Sequence, residues 1–269
     1  MIDITELKKI QLEMLKSFDK YCKENGYTYY LTYGTLIGAL RHQGYIPWDD
    51  DIDLMMSRKD YNRLIAHFNT LTTDSSLKVI DHSIDSRYYL PFAKLVNTKT
   101  ILKENIDNDY EIGIYIDIFP LDNLSNDYET AKKVMRKAFG FNRQLQFKTI
   151  AFSKKRNPLK NVILFMGKAV LSFQSVSNIL SKFDKYCQSN NSKEFTNYVG
   201  VMTGTSAGDE SRVFRKEWFE KVEYALFEDK EYPIPIGADA LLRQLYGDYM
   251  TPPPKEQQVT HHSFKAWYK

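Results

Sequence analysis

From residue 3 to residue 25, apolar side chains recur at helical spacing. Leu7, Ile10, Met14, Phe18 and Tyr21 share one face, Leu15 borders it, Leu12 lies away from it and Gln11 interrupts it. Asp3 followed by Glu6 has the spacing of a capping box, and Gly26 is a natural stop. The aromatic and β-branched residues 27–32 predict a strand that delivers the chain to Gly34 and Thr35. Residues 36–42 predict a short helix closed by Gly44, and Tyr45, Ile46, Pro47 and Trp48 form a loop leading into a run of aspartates. Ser57 is placed to cap a helix over 58–68. Strands are predicted over 77–81, 88–96 and 111–121.

From Asp127 the pattern turns helical. Residues 128–150 predict a basic amphipathic helix carrying Lys132, Lys133, Arg136, Lys137, Arg143 and Lys148. Arg156, Asn157 and Pro158 form a break, after which 159–187 predict a single resumed helix with Leu164, Phe165, Val170, Leu171 and Leu180. These cations suit either an anionic membrane surface or a solvated helix face over the core. The small residues 203–208 predict a flexible loop, 222–227 a strand, and Pro233 and Pro235 lead to a helix over 238–245. Tyr246, Gly247, Asp248, Tyr249 and Met250 then precede the stiff triplet Pro252, Pro253 and Pro254. Phe-Asp-Lys-Tyr-Cys occurs at 18–22 and again at 183–187, but the flanks differ; these are two amphipathic helix ends, not a repeat.

Composition narrows the picture only a little. A chain of 269 residues can hold one large domain or two small ones, and this size buries roughly 75% of the unfolded surface. With 43% hydrophobic and 26% charged residues it is ordinary for a globular protein. The net charge of +3 is too small for a nucleic-acid footprint. The 19 Tyr and 16 Phe residues allow cation–π or sugar-stacking surfaces, or simple packing. Cys22 and Cys187 have no metal-type spacing, and a reduced, cytoplasmic protein is expected. The acidic, polar residues 1–9 do not resemble a signal peptide, and no apolar run reaches the ~18 residues of a membrane span. The longest such run, 162–166, is cut by Gly167 and Lys168.

The chemistry concentrates between Tyr33 and Met56. Asp49, Asp50, Asp51 and Asp53 run straight into apolar residues that begin a strand. On a strand, residues two apart face the same way, so Asp51 and Asp53 aim side by side with Asp49 behind them. Carboxylates so placed need a cation, a shared proton or a basic partner, and oxygen-only ligands suit Mg²⁺ or Mn²⁺ rather than zinc. Asp117 sits inside the apolar run 111–121, where an unpaired carboxylate is costly; it either ends a strand in water or joins the first cluster. The Gly34–Thr35 turn can offer backbone N–H groups and a hydroxyl to phosphate oxygens, and Arg41 can bind a phosphate or simply end an exposed helix. Together these parts suit phosphoryl transfer, with a carboxylate taking the proton of an attacking hydroxyl. An Asp-x-Asp pair alone also occurs in calcium sites and glycosyltransferases.

The stretch 34–54, GTLIGALRHQGYIPWDDDIDL, resembles the signature of the LicD family of phosphocholine and polyol-phosphate transferases. Ile116–Asp122 (IDIFPLD) and Tyr246–Pro253 extend the likeness nearly to the C-terminus. The resemblance implies an α/β (α+β) fold with a nucleotidyltransferase-like mixed sheet and an additional helical layer. The corresponding division is a catalytic core over 1–125, the helical layer over 126–200 and a C-terminal part over 201–269 that completes the core. It implies transfer of phosphocholine from CDP-choline to a sugar hydroxyl of a lipid-linked teichoic acid or other cell-surface glycan precursor, with release of CMP. Related members, of the fukutin type, move ribitol phosphate from CDP-ribitol. By the motif match, Asp51, Asp53 and Asp117 are the catalytic, Mg²⁺-binding carboxylates. Gly34, Thr35, Arg41 and Asp49 face the donor, and Trp48 and Tyr246 are site aromatics for the quaternary ammonium. Tyr45, Tyr115, Phe119 and Tyr249 are further aromatic candidates, and His261 or His262 assists the acceptor. The acceptor would be met at the cytoplasmic face of the membrane.

Overall fold

The computed structural model describes residues 1–104, 110–150, 152, 157–191, 196–204, 210–260 and 264–269. Helix α1 (Ile4–Asn25) starts where its cap predicts: the Asp3 side chain accepts from the Glu6 N–H at 2.9 Å, and Gly26 ends it in the left-handed conformation at φ 64°. The buried face is turned slightly from expectation. Leu15 and Cys22 are fully enclosed and Ile10 is half-buried. Gln11 is buried without a polar loss, since its amide donates to the Tyr115 carbonyl at 3.1 Å and accepts from the Tyr45 hydroxyl at 3.2 Å.

Strand β1 (Tyr29–Leu31) leads into α2 (Tyr33–Ile37), which continues as a π-type turn over Gly38–His42. Strand β2 (Asp53–Ser57) follows, then α3 (Arg58–Leu71), capped by the Ser57 hydroxyl accepting from the Asp60 N–H at 3.2 Å. Next come β3 (Leu77–Ile80), β4 (Ala93–Asn97) and β5 (Thr100–Glu104). β4 is shorter than the predicted 88–96: Pro91 cannot donate to a ladder, and residues 88–92 form an irregular stretch in which the buried Tyr88 donates its hydroxyl to the Phe92 carbonyl. β5, which the pattern did not predict, pairs with the C-terminal strand named below.

The long β6 (Tyr115–Ser125) carries Pro120 in its interior, at the gap between two edge partners: β4 pairs up to Ile118, and the next strand begins at Asp122. Helix α4 (Tyr128–Thr149) is capped by Asp127. The predicted helix 159–187 is instead two helices, α5 (Pro158–Val170) and α6 (Val176–Gln188). The Ser175 hydroxyl caps α6 by accepting from the Asn178 N–H at 3.1 Å, a signal the long apolar pattern obscures. Then follow β7 (Tyr198–Gly200), β8 (Val213–Arg215), β9 (Val222–Phe227), β10 (Lys230–Pro235), α7 (Ala238–Tyr246) and β11 (Phe264–Tyr268).

The main sheet has the order β1-β2-β6-β4-β3, extended by β7 and β8 off the far end of β6. β2 and β6 run parallel and the other pairs antiparallel, giving a mixed sheet in an α/β fold with an added helical layer. The β9–β10 hairpin packs on β1. α1 and α3 cover the sheet, and most of the apolar core lies there. A second cluster, with Met135, Ala138, Leu145, Ile179, Leu180 and Phe183, joins α4 and α6 and meets the sheet at Leu124, Tyr198 and Val213. One buried ion network fastens the layer to the sheet. Arg58 of α3 forks onto Asp122 of β6 at 2.6 and 2.8 Å and reaches Asp184 of α6 at 3.0 Å. Asp184 belongs to the second Phe-Asp-Lys-Tyr-Cys. In the first, Asp19 is buried and accepts from Tyr29, Lys23 and Lys230 at 2.9, 2.9 and 2.6 Å. In both helix ends the Phe and Cys are buried and the Asp fixes the helix to a distant element.

Candidate active site

The parallel register of β2 and β6 sets Asp53 directly beside Asp117, and the antiparallel register of β6 and β4 sets Lys94 beside Asp117. Partners in register share a face, so Asp53, Asp117 and Lys94 form one row across three neighbouring strands, each strand about 4.8 Å from the next. The Lys94 ammonium lies 2.5 Å from the Asp117 carboxylate and 3.2 Å from the centre of the Tyr115 ring, and it is almost fully buried. Asp51 lies two residues before Asp53 on extended backbone, and Asp49, Asp50 and Asp51 bring oxygen atoms within 4.8 Å of one another. Burial, then the charges of Asp51, Asp117 and Asp49, push the Asp53 carboxyl well above the usual carboxylate range, and Lys94 offsets this only in part. This end of the sheet therefore holds more carboxylates than Lys94 alone neutralises. An oxygen-ligated divalent cation fits such a donor set, as does a proton.

The short helix α2 supports this row. Thr35 is buried and its hydroxyl accepts from the Asp53 N–H at 2.8 Å, while Asp53 accepts at its carbonyl from the Thr32 N–H at 3.1 Å. Gly34 lies against Asp49: a Cβ there would come within 2.4 Å of the Asp49 carboxylate. Tyr33 holds φ at 47°, a left-handed conformation that costs a bulky residue about 1–3 kcal/mol. Its ring is fixed edge-on to Phe119 at 5.4 Å and under the Arg212 guanidinium at 4.7 Å, and its hydroxyl accepts from Arg212 at 2.8 Å.

Tyr246 reaches the same place from α7. Its ring is half-exposed, yet burial of the hydroxyl end, with Tyr33, Asp53 and Asp49 nearby, raises its phenol above the ordinary range against the pull of Arg212. Arg41 points its guanidinium to the Tyr249 carbonyl and to His42 Nε2 (2.9 Å), tying the π-type turn to the chain after α7, and burial lowers its pKa. Trp48 is half-buried, with its ring 6.3 Å from His42. Of the other aromatics singled out in the sequence, Tyr115 lies under Lys94, Phe119 packs on Tyr33 and Phe92, Tyr45 lies under Lys8, and Tyr249 is buried with its hydroxyl on Asp239. Trp48 and Tyr246 keep ring surface toward solvent. His261 and His262 lie outside the described residues.

Three cations beside the carboxylates were not anticipated. Lys94 had a readable signal, the same one that marked Asp117: a charge inside an apolar strand pattern. Lys8 on α1 lies near Asp49, Asp50 and Glu228, with burial lowering its pKa against their charges. Arg212 follows a stretch of small residues and has no local signal; only the tertiary fold brings it to Tyr33.

A mixed sheet that gathers strand-borne carboxylates beside a short, tightly held helix defines a carboxylate-centred α/β site. Residues 26–170 match the family described as LicD/FKTN/FKRP, nucleotidyltransferase domain, and the chain belongs to that family. It is 28% identical over 284 aligned positions to the lipopolysaccharide cholinephosphotransferase LicD of Haemophilus influenzae, covering 99% of this chain and 98% of that protein. It is also 35% identical over 118 residues to mannosyltransferase regulator 4 of Saccharomyces cerevisiae, covering 42% of this chain and 10% of that protein. Mannosyltransferase regulator 14 of the same yeast is 35% identical over 130 residues, or 46% of this chain and 13% of that protein.

Proposed function

We propose that this chain is a phosphotransferase that moves phosphocholine from CDP-choline to a sugar hydroxyl of a lipid-linked cell-surface glycan precursor, such as a teichoic acid or lipopolysaccharide intermediate, releasing CMP. The observation that carries the reading is the register that seats Asp53 beside Asp117, next to Asp51, in a chain aligned end to end with a cholinephosphotransferase. Asp51, Asp53 and Asp117 are the residues that would hold Mg²⁺ or Mn²⁺. When bound, such an ion would neutralise the donor's diphosphate and polarise the phosphorus under attack.

The chain's own groups do the rest. Arg212, bonded to the Tyr33 hydroxyl, and Arg41, in the π-type turn after α2, supply positive charge for the donor phosphates. Lys94 holds Asp117 in place. Gly34 lets Asp49 approach the first turn of α2. Trp48 and Tyr246 offer aromatic faces to a trimethylammonium group, which has no N–H to donate. The acceptor oxygen bonds to the phosphorus that carries choline, the bond from that phosphorus to the CMP oxygen breaks, and the hydroxyl proton passes to a carboxylate of the cluster. The helical layer over 126–200 is accessory to a core made by 1–125 and 201–269. The reaction takes place at the cytoplasmic face of the membrane, where a lipid-linked acceptor is met; no helix among the described residues is long and apolar enough to cross a membrane.

A second reading, transfer of a polyol phosphate from a CDP-polyol, is favoured by the FKTN/FKRP branch of the matched family. One experiment separates these readings. The protein is incubated with Mg²⁺, a glycan acceptor and, in parallel, CDP-choline, CDP-ribitol, UDP-sugars and GDP-sugars, and the released nucleotide is followed. CMP from CDP-choline is expected. CMP from CDP-ribitol alone would move the assignment to the polyol, and UDP or GDP release would replace it with glycosyl transfer.

A further inference from the structure

We infer that α5 and the turn after it form a docking face for an anionic lipid surface. Leu159, Val162, Phe165, Met166, Val170 and Phe173 are each more than half exposed, and Phe173 is 97% exposed. At helical spacing Leu159, Val162, Met166 and Val170 fall on one side of α5. The helix is anchored elsewhere on its surface: Leu164 is its buried residue, and Gly167 fits against the Phe147 ring of α4, where a Cβ would come within 2.5 Å. This apolar face is built outward on a helix that is held in place, so failed packing does not explain it. An exposed apolar surface of this extent marks a contact with another phase or molecule.

The charge pattern identifies which. Between residues 130 and 183 the sequence holds twelve Lys and Arg and no Asp or Glu, although the whole chain carries only +3. Two of these cations lie beside α5: Lys168, on the helix itself, lies 5.4 Å from the Phe152 ring, and Lys148 of α4 donates to the Leu171 carbonyl at 3.3 Å. A short apolar helix with basic borders and no acid lies in the plane of an anionic interface, with its apolar side among the acyl chains and its lysines among the headgroups. At 13 residues α5 is about 20 Å long, too short to span a bilayer. A second protein copy would have to present a strongly acidic, apolar face, and this segment has no acid to offer in return.

The face is also linked to the site. Asn142 of α4 donates to the Met202 carbonyl at 2.8 Å and accepts from the Gly204 N–H at 3.2 Å. Gly204 lies beside Phe119 and Phe92, the rings next to Tyr33 and Lys94. Phe147, which seats α5, is five residues further along the same helix, about 7.5 Å along its axis. Docking would therefore hold the carboxylate row close to the lipid surface. In that respect the inference rests on the proposed lipid-linked acceptor.

The test is co-sedimentation of the full chain with vesicles of phosphatidylcholine alone, or with roughly one third phosphatidylglycerol, read beside light scattering and beside CMP release with a soluble acceptor fragment. Binding to the anionic vesicles is expected, weaker by about ten-fold or more on neutral vesicles and for the Phe165→Ser, Phe173→Ser double variant. Both positions are exposed, so the variant should melt like the parent and release CMP from the soluble acceptor at the parent rate. Absence of binding to anionic vesicles, equal binding by the variant, or a dimer that the variant dissociates would overturn the docking face. CMP release in those cases would leave the transferase reading standing, and vesicle binding without CMP release would do the reverse.

Discussion

The site end of the sheet and the outer helical layer depart from ordinary burial in opposite senses. At the sheet, Asp53, Asp117 and Lys94 hold ionic groups in or beside a dense apolar core; in the layer, Phe165, Val170 and Phe173 hold apolar groups in water. Each arrangement is unfavourable for the chain alone; under the readings proposed above, a cation and a charged donor would relieve the first and a lipid surface the second. The scaffold around each is correspondingly firm. Thr35 fixes Asp53 through its backbone N–H, and Gly167 fixes α5 against Phe147.

The comparison breaks most readily at the joint between the two regions. Arg58→Ala leaves Asp122 buried without its cation and frees Asp184, and a loss of about 3–5 kcal/mol in urea unfolding is expected. If the layer is only loosely attached to the core, that loss will be well under 1 kcal/mol.

The next effect has the opposite sign. The Asp53 carboxyl titrates higher in the folded chain than in the unfolded one, by burial and by its carboxylate neighbours. Its contribution is therefore full below the unfolded value near pH 4 and is lost as pH rises through the folded value. Asp53→Asn removes that loss and should raise stability at neutral pH by on the order of 1 kcal/mol. Mg²⁺ or Mn²⁺ should raise the melting temperature of the parent and leave that of Asp53→Asn unmoved. A destabilised variant, or an equal cation shift in both, would refute the electrostatic description of the site.

Gly34→Ala sharpens the contrast on a smaller scale. The added methyl meets the end of the Asp49 side chain, which can swing away, so stability should change by less than about 1 kcal/mol. Turnover should nevertheless fall by about ten-fold, because the carboxylate is displaced from the α2 turn. Smallest of all is Phe165→Ser, expected to stay within about 0.5 kcal/mol of the parent in thermal melts, since the side chain touches mainly solvent.

Local signals carried much of this structure. The caps of α1 and α3, the stop at Gly26, the carboxylates two apart and the misplaced charge at Asp117 are all written within a few neighbouring residues. What they could not carry is register. Asp53 and Asp117 are 64 residues apart in sequence, and only the parallel pairing of β2 with β6 makes them neighbours. Arg212 reaches Tyr33 by the same kind of tertiary accident of position. The strand pattern over 88–96 overreaches because aromatic residues favour strands, whereas Pro91 ends the ladder's donors and β4 begins at Ala93. Periodicity in 159–187 showed which residues share a face but not that the chain turns after Val170 and caps anew at Ser175, nor that the face would be left uncovered.

The central claim is that the carboxylate row transfers the phosphate-bearing group, and its most direct measurement is CMP release from CDP-choline by the parent, Asp53→Asn and Asp117→Asn at matched folding. A fall of about a thousand-fold or more in both variants is predicted. Release at the parent rate from either one would contradict it.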